Sequence, residues 1–137
     1  MTTCSTFLAF SLAACGMVTT VSAHHSVTEI YDIDKVVPLS GVVTSVQVVN
    51  PHVTVNLDTR DALGNVTTWT IEVAPPNALR RRSFDPRSLT PGQQVTVESW
   101  LRKDGRREAT GRTLVTADGK RVDVGDGLGW SMVAPSK

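Results

Sequence analysis

Three histidines, His24, His25 and His52, are the full complement of imidazoles in the 137-residue chain. Two are adjacent and follow Val21-Ser22-Ala23; the third follows Asn50-Pro51. Signal peptidase accepts small residues three and one before its cut, so cleavage after Ala23 would make His24 the first residue. A terminal histidine offers a free α-amine and an imidazole Nδ1 that together close one chelate ring on a metal. A second imidazole supplied by the fold would complete a T-shaped set of three nitrogens. Amine and imidazole nitrogens in near-planar geometry favour Cu(II) over harder cations. Each must be deprotonated to bind, so affinity should fall in acid.

The second imidazole has two candidates, His52 and, as its rival, His25. His52-Val53-Thr54-Val55-Asn56-Leu57-Asp58 alternates strictly, placing Val53, Val55 and Leu57 on one face and His52 outward with Thr54 and Asn56. Val66 to Val73 alternates in the same way, with Trp69, Ile71 and Val73 opposite Thr68, Thr70 and Glu72. The two runs read as a hairpin around Thr59 to Asn65. Facing residues of an antiparallel pair have position numbers of constant sum. Aligning Leu57 with Thr67 gives 124 and sets His52 opposite Glu72. The next register of the same parity leaves the two as diagonal neighbours, still within reach of each other. Glu72 would then ligate the metal directly, as a weak axial contact, or accept the other ring N–H of His52 and fix its tautomer. Each residue also has an ordinary use. A His-His start is tolerated by the peptidase, a histidine beside an Asn-Pro turn is commonly a capping or surface group, and His52 with Glu72 makes a plain cross-strand polar pair. Concentration favours the metal, because the imidazoles sit at only two places, which the fold can bring together.

The elements that must position these groups begin with a leader. Met1 to Thr28 contains no Lys, Arg, Asp or Glu. Phe7 to Val21 is an apolar run too short, and too broken by Ser, Thr and Gly, for a membrane span. No Lys or Arg precedes it, which is unusual for a signal peptide. A rival processing site, Leu12-Ala13-Ala14-Cys15, has the form that leaves Cys15 as a lipid anchor. The expected organisation is a signal peptide over 1–23, an extended N-terminal arm over 24–35, a β-barrel domain over 36–124 and a loose tail over 125–137 in which Trp130 could anchor. The expected location is the periplasm of a Gram-negative type envelope, with a lipoprotein as the alternative. Cys4 and Cys15 are the only cysteines. Cleavage after Ala23 leaves no thiol, excluding disulfides, Cys-ligated zinc and iron–sulfur clusters from the mature chain.

Val36 to Val49 is rich in β-branched residues, with Gly41 marking an expected bulge or bend. Asn50-Pro51 ends it. Prolines opening Pro75 to Arg82 and a basic last turn predict a short helix. Gln94 to Leu101 and Ala109 to Ala117 read as further strands, with Val95, Val97 and Ser99 facing one way, and Asp118-Gly119 predicts a last hairpin into Arg121 to Val124. Three strands, a helix and two or more strands is the order of a small, all-β, mainly antiparallel OB-like partly open barrel. Periodicity alone fits a small β-sandwich as well.

Net charge is +1, so no global field draws the chain to nucleic acid or anionic lipid. Residues 80–112 carry nine basic side chains, among them Arg80, Arg81, Arg82, Arg102 and Arg107. Single-strand binding also wants exposed aromatics for stacking. With only 5% aromatic residues and Trp69 assigned to the core, the stretch reads as a solvated face. No serine is placed beside His52 with a third group behind it, no facing carboxylate pair is evident, and Gly125-Asp126-Gly127-Leu128-Gly129 does not link a strand to a helix. No catalytic constellation follows.

His24-His25-Ser26, Asn50-Pro51-His52, Trp69-Thr70-Ile71-Glu72, and Pro76-Asn77-Ala78-Leu79 with Arg81 or Arg82 resemble a bacterial family of small exported proteins, domain of unknown function 6152. Leu89-Thr90-Pro91-Gly92 and Ala117-Asp118-Gly119-Lys120-Arg121 are similar to it as well. The resemblance covers His24 to about Val124 and implies a mature start at His24. The chain departs from it with Val48-Val49 where relatives have an aromatic, Val53 where they have Trp, and Ser83-Phe84 where they have Gly-Trp. Two functions are thus expected. One is a periplasmic copper-binding protein using His24, His52 or His25, and Glu72, which passes its metal to another envelope or copper-handling protein. The other is an OB-like envelope module that binds a protein, glycan or lipid head group with no metal.

Overall fold

Alternating burial along successive strands builds one continuous core. A computed structural model describes residues 27–126. Cys4, Cys15, His24, His25 and Trp130 therefore lie outside the described residues, as does nearly all of the expected tail. Strands β1 (Tyr31–Val48), β2 (Val53–Arg60), β3 (Val66–Val73), β4 (Gln94–Arg102), β5 (Glu108–Thr116) and β6 (Arg121–Asp123) lie in the order β3-β2-β1-β4-β5-β6. A parallel contact between β3 and β5 turns this sheet into a partly closed ring. The architecture is the all-β, mainly antiparallel, partly open barrel that the element order indicated. Val53, Val55, Leu57, Ile71, Val97 and Leu114 point inward and are buried almost completely. A short helix, α2 (Pro76–Arg81), follows β3 and inserts Leu79 into the same core.

One long strand serves both halves of the ring. β1 pairs with β4 over Tyr31–Val42 and with β2 over Gly41–Val48, so Gly41 has neighbours on both sides, Thr59 and Val95. The irregularity expected at Gly41 falls instead at Thr44, which is skipped between Val43 and Ser45 in the pairing with β2. Gly41 has a different task, close approach. A Cβ there would lie 2.2 Å from the carbonyl oxygen of Asp58.

Two further expectations are corrected. The described part of the 24–35 segment is not an extended arm. It forms one helical turn, α1 (Val27–Ile30), and enters β1 at Tyr31, ahead of the expected start at Val36. Tyr31 pairs with Arg102, residues 32–35 leave the ladder, and Val36 rejoins it opposite Trp100. The hairpin register also differs from the alignment of Leu57 with Thr67. Leu57 faces Trp69 and Thr54 faces Glu72, the alternative register shifted by two residues. Its cause is the loop. Asp61 donates its backbone N–H to the Asn65 carbonyl at 3.1 Å. The Asp61 carboxylate accepts from the Leu63 and Asn65 amides at 2.8 and 2.9 Å and from Asn65 Nδ2 at 2.8 Å. These bonds hold the Asp61 carboxyl below its ordinary pKa, the Asn65 side chain contributing most. They close the loop on the Asp61–Asn65 pair and fix every pairing beyond it.

The tight crossing at Gly41 yields a stability prediction. Gly41→Ala should destabilise the fold by about 2–3 kcal/mol, as overpacking against fixed backbone does. Urea denaturation is the check, and a change within about 0.5 kcal/mol, the range of ordinary surface substitutions, would show that β1 and β2 can separate there.

Candidate functional site

His52 ends the connection Val49–His52 between β1 and β2, whose Asn50–Pro51 peptide is cis. Val53, the next residue, is fully buried, so alternation turns the His52 ring outward. Its side chain keeps 35% exposure. Glu72 lies on β3 between buried Ile71 and Val73 and is likewise forced outward, with 44% of its side chain exposed. Thr54 of β2 pairs with it on one side and Thr110 of β5 on the other. In this register His52 and Glu72 are diagonal neighbours, and the Nδ1 of His52 meets a carboxylate oxygen of Glu72 directly.

That contact sets the chemistry of the ring. A carboxylate only accepts, so the shared hydrogen belongs to Nδ1, and in the neutral imidazole the lone pair is left on Nε2. Metal-ligating histidines commonly carry this arrangement, with the carboxylate orienting the ring and raising its basicity. No Lys or Arg among the described residues forms an ion pair with Glu72, so its charge remains available to a cation. The two side chains make half a site, because the described residues contain no group of three or more potential ligands. His24 and His25 lie outside the described residues.

A chain of polar and charged groups that alternation does not reveal adjoins Glu72. Tyr31 is partly buried, and burial, then the neighbouring Glu72, raise its phenol above the ordinary pKa, while Arg102 opposes them and donates a hydrogen bond to it. Arg102 in turn holds Asp104 through Nε at 3.1 Å and Nη2 at 2.7 Å, and reaches Glu108 at 3.2 Å. Its bonds to Asp104 raise its own pKa and pull the Asp104 carboxyl down to about 2. Nothing in the sequence marks the four-residue excursion of 32–35 that sets Tyr31 beside Arg102.

Elsewhere the basic stretch is largely occupied. Arg107 lies 5.3 Å from the Trp69 ring centre and Arg112 4.8 Å from that of Trp100. Arg82 donates to the Gly125 carbonyl at 2.6 Å and ties α2 to the chain after β6. Val53 and Phe84, two of the positions that depart from the family pattern, are core residues, whereas Val49 is exposed next to the site.

The model of a family of unknown function, DUF6152, matches residues 12–112. That stretch contains the His-His-Ser, Asn-Pro-His, Trp-Thr-Ile-Glu and Pro-Asn-Ala-Leu segments and stops short of Ala117–Arg121. No curated protein and no solved structure matches the chain. No helix among the described residues is long and apolar enough to cross a membrane.

Two outcomes follow from this geometry. In alkaline buffer, ring nitrogen-15 shifts should report a proton on Nδ1 of His52, and Glu72→Ala should move the majority to Nε2; an unchanged tautomer would mean that Glu72 does not hold the ring. Asp104 has a lowered folded pKa, so its contribution is complete above the ordinary value of 3.8 and disappears as pH falls through about 2. Asp104→Asn should therefore lower the melting temperature at neutral pH by an amount that shrinks steadily as pH falls from 4 towards 2. A constant deficit at both ends would assign the loss to something other than charge.

Proposed function

We propose that this chain, which belongs to the DUF6152 family of unknown function, is an exported copper-binding protein whose metal is held between its processed N-terminus and His52. The observation that carries this reading is the contact of Glu72 with Nδ1 of His52, which turns Nε2 into a fixed, outward donor. In the processed protein His24 supplies the α-amine and its imidazole, His52 supplies Nε2, and Glu72 orients the His52 ring. His25 competes for the place of His52. The Glu72 carboxylate, which has no Lys or Arg partner among the described residues, also suits a cation beside the site. Carriage or buffering is the role in keeping with so small a domain, with another envelope or copper-handling protein as recipient.

A second reading has its own observation. The outer face of β1, β2 and β3 is a hydrogen-bonding array in which Asn56 Nδ2 donates to Ser45 Oγ at 2.8 Å, Thr70 Oγ1 to Asn56 Oδ1 at 3.0 Å and Thr68 Oγ1 to Asp58 at 2.6 Å. Barrels of this type use the face of their second and third strands to bind oligosaccharides and oligonucleotides. An envelope interaction module binding a glycan without metal would use this surface and leave the histidines idle.

Copper titration against a competing chelator separates the two. Protein beginning at His24 should bind one equivalent of Cu(II), and both His52→Ala and a Met-extended form should bind about a hundredfold more weakly, at the upper end of losses seen when a metal site is perturbed. Equal affinity in all three would overturn the shared site.

A further inference from the structure

The proposed site needs a tether as well as ligands, and the end of β4 supplies one. Lys103 donates its backbone N–H to the Ile30 carbonyl at 2.9 Å, and its Nζ to the Thr28 carbonyl, also at 2.9 Å. Tyr31, directly after the α1 turn, is laddered to Arg102 and takes a hydrogen bond from its side chain. Main chain and side chains of Arg102, the last residue of β4, and of Lys103, which follows it, thus grip residues 28–31 at successive points. Arg102, the ladder partner of Tyr31, also reaches Glu108 at 3.2 Å, and Glu108 stands opposite Thr70, two residues before Glu72 on β3. The turn is therefore held at the rim of the ring that carries Glu72.

The consequence is one of reach. Four helical residues rise about 6 Å, and three extended residues span about 10 Å. A chain gripped at Tyr31 therefore confines His24 to within about 16 Å of that point. Released from the grip, the same terminus would hang from Val36, where the ladder resumes, on a longer tether with a lower effective concentration at the site.

Resting on the copper reading above, we infer that Lys103 and Tyr31 are positioning residues, which clamp the α1 turn so that the processed N-terminus is delivered to His52. Neither touches the metal. They act by ordering in advance a segment that binding would otherwise have to order.

The mature chain lacks cysteine, so single thiols can be placed cleanly. Spin labels at Ser26→Cys and Thr54→Cys, in metal-free protein beginning at His24, should give one narrow distance distribution. Adding Tyr31→Phe with Lys103→Met should broaden it, and Tyr31 with Lys103→Arg should restore it. The double variant should also weaken Cu(II) binding about tenfold, the scale expected for losing hydrogen bonds that include a charged donor. It should do nothing further to the Met-extended form, whose terminal chelate is already lost, and a merely structural defect would weaken both alike. A broad distribution in the parent, or one indifferent to the double variant, would overturn the clamp. Loss of copper binding equal in the processed and extended forms would overturn it too. If the parent binds no copper while the distances respond as described, the metal reading fails and the clamp stands.

Discussion

The candidate site depends on where the ring closes. Only Thr70–Glu108, Ile71–Ala109 and Glu72–Thr110 join β3 to β5, and they are parallel pairs in an otherwise antiparallel sheet. They form at the end of β3 that carries Glu72 and the start of β5 that carries Glu108. The end of β4 and the start of β1 are carried to the same place, because Arg102 pairs with Tyr31. Closing the ring elsewhere along β3 would separate Glu72 from Tyr31 and Arg102 while leaving each hairpin intact. The start of β1, the end of β3 and the β4–β5 hairpin, three stretches distant in sequence, thus share one rim, and the Arg107 carbonyl reinforces the seam by accepting from the Thr70 amide at 2.9 Å.

What makes this rim polar is the inside of the barrel. Val53, Ile71, Val73 and Ala109 are drawn inward by apolar burial, so their chain neighbours His52, Glu72 and Glu108 have no choice but the outside. The core sets their direction, and their chemistry follows from what meets them there. Gly111 belongs to the same economy of space. A Cβ at this position would come within 2.9 Å of Val73 Cγ1 and 3.2 Å of Val97 Cγ1, so the wall of β5 stays thin where β3 and β4 crowd it.

Much of this was legible in the residues. Period-two alternation gave the faces of β2 and β3, the prolines at 75 and 76 gave the start of α2, and the order of elements along the chain pointed to a partly open barrel. Parity placed His52 and Glu72 on one side of the hairpin whichever register held. Register itself was not legible from apolar matching, since Leu57 can face Thr67 or Trp69 without exposing a core residue. The Asp61–Asn65 hydrogen bonds decide it, and those depend on side-chain geometry within a loop. Tyr31 and Arg102 were out of reach for a related reason. Their pairing spans an excursion of the chain at 32–35, and alternation carries no information across a break in the ladder. Glu108 could be placed only once the parallel seam was known.

The carboxylate-held imidazole beside the clamped turn leads to one direct observation. Protein beginning at His24 is titrated with substoichiometric Cu(II), and amide signals are followed as the paramagnetic ion broadens them. Copper held by the N-terminus and His52 predicts early loss around His52, Val53, Glu72 and Tyr31, with the far loop at Leu63 and the Asp118–Gly119 turn untouched. Broadening that leaves His52 and Glu72 sharp, or that spreads evenly over the surface, would contradict it.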